Sequence, residues 1–72
     1  MSDFVICIKN EGDSASLIVG KVYRRLHDAQ AESHNLLRVM DEDGAKPDGY
    51  LFPAAMFAPI EIPESVQRVL SG

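Results

Sequence analysis

The chain has 72 residues, enough for one domain over its whole length and too few for two. A hydrophobic content of 46% can fill a compact core, and a single cysteine rules out an internal disulfide. Eleven acids against seven bases, a net charge of −4, weigh against a partner held chiefly through phosphates.

The longest apolar runs, FVICI and LFPAAMFAPI, are too short to span a bilayer. With no signal peptide and no cysteine pair, the chain reads as cytoplasmic. The cations are scattered, and only Arg24 and Arg25 are neighbours. On a strand, neighbouring residues face opposite ways, so even this pair makes no basic patch.

The first element in chain order is FVICIK, Phe4 to Lys9, too short for a helix and rich in strand formers. Phe4, Ile6 and Ile8 share one face, and Val5 and Cys7 the other. NEGDSAS reads as a loop, because Gly12 and the short polar side chains compete for backbone hydrogen bonds. Leu17 is an expected core residue, and Gly20 an expected bend before a strand over Lys21 to Leu26. That strand places Val22, Arg24 and Leu26 on one side, with Tyr23 and Arg25 on the other.

HDAQAESHN reads as a mobile loop with one helical turn, in which Asp28 is placed to cap. LLRVMD resumes strand character, with Leu37 and Val39 on one face. EDGAKPDG then turns the chain into YLF as a hairpin. Pro53 ends that strand for want of a donor, and PAAMF suits one tight helical turn with Pro53 at its first position. APIEI predicts a last strand with Ile60 and Ile62 on one face. PESVQRVLSG predicts a two-turn helix with Val66, Val69 and Leu70 at helical spacing. So short a helix must dock on something to persist.

This order predicts a mainly β fold: a small five-stranded barrel with a 3₁₀ turn before the last strand and a short C-terminal helix. GYLFPAAMFAPIEI, Gly49 to Ile62, resembles the end of an SH3 domain. There a Gly-x-hydrophobic-Pro signature closes the fourth strand, and a 3₁₀ turn with an aromatic leads into the fifth. The wider set CIKN, LIVGKVY, LLRVMDEDG and YLFPAAMFAPIEIP is similar to a family of short, uncharacterised bacterial proteins with an SH3-like barrel. That resemblance implies the fold and no particular activity. Pro53 matches the proline of the SH3 peptide groove, but Met56 stands where its tyrosine partner belongs. The chain has no tryptophan, and FVICIKN lacks the acidic-aromatic motif, so recognition of proline-rich peptides is not implied.

Candidate chemistry is sparse. Cys7 lies among apolar residues, where a thiol packs as a small hydrophobe. His27 and His34, even with Asp28 and Glu32, match no metal-ligand spacing. Asp41 to Gly44 with Asp48 makes only a fragment of a calcium loop, better suited to keeping a hairpin soluble, with Lys46 offsetting some of the charge. Ser14 and Ser16 have no base within the sequence pattern. A domain this small also leaves little room for a pocket of about 300 Å³.

The expected function is a non-catalytic interaction module for a protein partner, without metal or cofactor, with Tyr23, Tyr50, Pro53 and Met56 as its contact surface. A nucleic-acid- or ribosome-associated barrel is the alternative, and a structural subunit of a larger bacterial or phage assembly a further one. Monomer and homodimer are both compatible with the tail, which either covers the barrel or joins two chains.

Overall fold

The structure is a computed structural model that describes residues 3–42 and 47–71. Five antiparallel strands form one sheet in the order β4-β3-β2-β1-β5. They are β1 (Phe4–Cys7), β2 (Val22–Leu26), β3 (Leu36–Val39), β4 (Tyr50–Pro53) and β5 (Phe57–Pro59). Helix α1 (Ala29–Ser33) lies between β2 and β3, a 3₁₀ turn (Ala54–Met56) between β4 and β5, and helix α2 (Glu64–Ser71) follows β5. The Cα radius of gyration, 11.5 Å, is that of a tightly folded chain of this length.

β2 is the hinge of the sheet. Its residues Val22, Tyr23 and Arg24 pair with β1, while Arg25 and Leu26 pair with β3. Backbone bonds continue both ladders, from Arg25 N–H to Asp3 and from Met40 N–H to Arg24. One short strand thus serves two three-strand ladders, β5-β1-β2 and β2-β3-β4. Among the described residues no ladder joins β4 to β5, so hydrogen bonding leaves the sheet open where a closed barrel was expected.

Val5, Cys7, Leu17, Tyr23, Val39, Phe52 and Phe57 form one buried cluster, against which Leu37 and Met56 pack. The alternation within each strand dictates the membership: Val5 and Cys7 from β1, Tyr23 from β2, Leu37 and Val39 from β3. Leu17, in no strand, is fully buried as the sequence predicts. Phe52 and Phe57 meet edge to face at 6.0 Å across the 3₁₀ turn, which explains why that turn must be tight.

Several boundaries differ from the sequence reading. β1 stops at Cys7, and Ile8 is half exposed. The last strand begins earlier than expected, at Phe57, and ends at Pro59, which has no N–H with which to continue it. Ile60 still donates to the Phe4 carbonyl at 3.3 Å, but Ile62 lies outside the strand. Pro53 caps the 3₁₀ turn from the end of β4 instead of starting it. α2 forms where predicted, yet Val66 and Val69 are 44% and 78% exposed, so its valines are not docked as expected. The segment Asp43 to Lys46 of the acidic turn lies outside the described residues.

The polar loop after β2 is better organised than its composition suggests. The Asp28 side chain accepts from Ala31 N–H at 3.0 Å, and Glu32 reaches back to Asp28 N–H at 3.2 Å. This reciprocal bonding satisfies two donors at the helix start. Asn35, at φ 61°, ends the helix in the left-handed conformation that asparagine tolerates.

Both outer strands carry a proline at a position facing away from the sheet. Ala54 N–H donates to Asn35 in register with the β3–β4 ladder. Hydrogen-bonded pairs alternate along an antiparallel ladder, so Phe52 and Tyr50 bond to β3 while Leu51 and Pro53 face outward. By the same reasoning, Ile8 N–H bonded to Met56 places Phe57 and Pro59 on the outer side of β5. Phe57 spends its N–H on the Ala54 carbonyl. Outer edges are where a sheet tolerates proline.

Candidate functional site

One concavity among the described residues is a groove of about 360 Å³ lined by Asp13, Ser16, Asp41, Tyr50, Leu51 and Phe52. The sequence reading expected little room for a pocket of this size; residues of the β1–β2 loop and of β4 line it together. The loop is fixed there by backbone bonds from Asp13 N–H to Asn10, from Leu17 N–H to Asp13 and from Glu42 N–H to Ser16, each between 2.8 and 2.9 Å. Asn10 adds a side-chain bond to the Leu17 carbonyl at 3.0 Å. Buried Leu17 therefore anchors the loop in the core, while Asp13 and Ser16 stay partly exposed.

A smaller groove of about 200 Å³ lies between α1 and strands β3 and β4, lined in part by Ala31, His34, Leu36 and Leu51. Leu51, 45% exposed, borders both grooves. The second groove is braced by Arg38, whose Nε donates to Asp28 at 2.9 Å. The bonds from Ala31 N–H and then from Arg38 hold the Asp28 carboxyl below its ordinary range.

Of the four residues expected at a partner surface, the structure leaves Tyr50 and Pro53 exposed, Met56 partly so, and buries Tyr23. Tyr50, 39% exposed, and Pro53 are on the surface, and Met56 packs partly against the core. Tyr23 is only 4% exposed. Its hydroxyl accepts from Ile18 N–H at 2.8 Å and lies beside the Glu42 carboxylate, which Lys21 also binds. Burial first, then the Glu42 hydrogen bond, pushes the Tyr23 hydroxyl up to about 12. Lys21, then Tyr23, holds Glu42 below the usual carboxylate range. Tyr23 is thus a tie between the β1–β2 loop and the end of β3.

The sequence reading also missed a chain of polar contacts at the β1–β2 edge. Arg25 is buried, and its Nη2 donates to His27 Nδ1 at 2.9 Å. Arginine only donates, so Nδ1 is the unprotonated nitrogen and Nε2–H donates to Asp3 at 2.8 Å. Arg25 Nε has no hydrogen-bond partner among the described residues, an expensive arrangement for a buried cation. The register that brings Asp3 beside Arg25 has no signal in sequence, where they stand far apart.

His27 and Asp28 are committed to separate contacts and do not converge with His34 and Glu32 on a metal site. Among the described residues no group of three or more His, Cys, Asp or Glu side chains is placed to hold a metal ion. Nor is any described helix long and apolar enough to cross a membrane. No known family model, curated protein or solved structure matches the chain.

Proposed function

We propose that this protein is an SH3-like module that binds a protein partner and performs no chemistry of its own. The fold part of this reading is supported by the short strand shared between two three-strand ladders, with a 3₁₀ turn between the last two strands. A strand that passes from one sheet to another is how two crossed layers make a corner.

The observation that carries the functional part is the groove beside β4. It is lined by the exposed Tyr50 and Leu51 and the buried Phe52 together with the partly exposed Asp13, Ser16 and Asp41. Apolar and aromatic side chains beside polar ones are what protein interfaces are built from, and tyrosine is enriched in them. A phosphate-binding surface is less well supported, because Lys21, Arg38 and Arg68 each face a carboxylate. Tyr50 and Pro53, being exposed, remain in the proposed surface, while the buried Tyr23 leaves it.

Capture on immobilised full-length protein from its own cells tests the reading. The expected result is a specific protein, still retained after nuclease treatment and lost with Tyr50→Ser. Retention of nucleic acid alone, or of nothing, would refute it.

A further inference from the structure

β4 is the outermost strand on its side of the sheet, and among the described residues nothing pairs with its free edge. Alternation along the ladder turns the Leu51 N–H and C=O outward, between Gly49 and Pro53. Pro53 offers only a carbonyl there, so an added strand finds a donor and an acceptor at Leu51 and loses its next donor two residues on. Asp13 from the β1–β2 loop and Asp41 from the end of β3 line the same groove as Tyr50, Leu51 and Phe52 of this strand, on a chain of net charge −4.

We infer that the β4 edge is where the partner binds, by adding one short extended segment whose backbone pairs with Leu51 and whose lysine or arginine lies against Asp13 and Asp41. This rests on the protein-interaction reading and specifies its ligand: an extended peptide alternating apolar and basic side chains. Main-chain bonds give such strand addition its affinity, and the side-chain surroundings give it selectivity. A second copy of this chain fits the edge poorly. Pairing β4 with β4 would bring the same carboxylates together, and like charges facing each other oppose association.

The test uses isotope-labelled full-length protein and an end-capped peptide, Thr-Val-Arg-Val-Arg-Thr, followed by amide NMR. Binding is expected to shift the Leu51 amide and slow its exchange, and to weaken as salt is raised. A version with glutamate for arginine should bind at least about tenfold more weakly, as loss of a charge pair implies. A version N-methylated at both valines should not bind. An unmoved Leu51 amide, no binding at millimolar peptide, or equal binding of the three peptides overturns the inference.

Leu51→Pro removes the outward donor and should abolish binding. In case that variant unfolds, Asp13→Lys supplies an independent arm and should shift preference toward the glutamate peptide; an unchanged preference counts against the inference. Capture from cells separates the two levels of the argument. A protein retained equally by wild type, Leu51→Pro and Asp13→Lys keeps the interaction reading and refutes the edge. No retained protein at all refutes the reading itself. A dimer of the wild type that Leu51→Pro converts to monomer would assign the edge to self-association and overturn the inference.

Discussion

Replacing Gly49 by alanine should destabilise the protein far more than the same change at Gly20. Both glycines adopt left-handed backbone, at φ +65° and +87°. For an L-residue that conformation costs roughly 1–2 kcal/mol. At Gly20 nothing lies within 4 Å of the added methyl group, so this backbone cost stands alone. At Gly49 the methyl would fall 2.6 Å from the Val39 carbonyl oxygen and 3.0 Å from its carbon, well inside ordinary contact.

Val39 is fully buried and held in the ladder to Tyr50, so its carbonyl cannot yield without disturbing β3–β4 pairing. Overpacking of this kind adds about 1–3 kcal/mol. The expected loss is therefore about 2–5 kcal/mol for Gly49→Ala and about 1–2 for Gly20→Ala. A domain of this length has a total stability of roughly 4–11 kcal/mol, so the former approaches unfolding. Urea denaturation followed by circular dichroism measures both. Losses equal to within about 0.5 kcal/mol would show that close approach at Val39 does not set the requirement at Gly49.

Tyr23 predicts an alkaline limit. Its ionisation is raised from 10.0 to about 12, so the folded state holds the proton more tightly. Stability is full below pH 10 and falls as pH rises to about 12, by about 2–3 kcal/mol at 1.36 kcal/mol per unit. Tyrosinate absorbance in a Tyr50→Phe background reads this directly, and a transition near 10 would contradict it. Asp28→Ala should speed hydrogen exchange at Ala31 several-fold while leaving Val5 protected, since α1 loses its cap and the sheet does not. The low-lying Asp28 carboxyl contributes its stability above the ordinary carboxylate range and loses it as pH falls through the depressed value. Exchange at Ala31 in acid should rise accordingly. Leu17→Ala should cost about 2–5 kcal/mol and Val69→Ser under about 0.5, because the first is fully buried and the second is 78% exposed. Cys7, also fully buried, should react with a thiol reagent only when the chain opens, and reaction as fast as that of a free thiol would place it outside the core.

Much of the fold was legible because alternation is local. Val5 and Cys7 on one face of β1, or Leu37 and Val39 on one face of β3, follow from period two alone, and Asp28 announced its helix by type and position. The limits of β5 were less legible: Ile60 and Ile62 alternate as a strand would, yet Pro59 lacks the donor that continued pairing needs. The candidate site was the least legible part. Tyr23 and Tyr50 are alike as residues, and only register decides that one is buried with its hydroxyl tying down an exposed turn while the other ring borders a groove. Leu51 gave no signal, because an outward-facing amide is a property of hydrogen-bond phase, which composition does not encode. Asp13 likewise joins β4 only once the chain has folded back on itself.

The two margins of the sheet are not equivalent. On the β5 side Pro59 has no donor and Phe57 spends its own on Ala54. On the β4 side one outward amide remains. Under the inference drawn above, an added strand finds its donor on the β4 margin, whereas the β5 margin offers it carbonyls alone within Phe57–Pro59, so the two margins differ in the backbone they present to an extended chain.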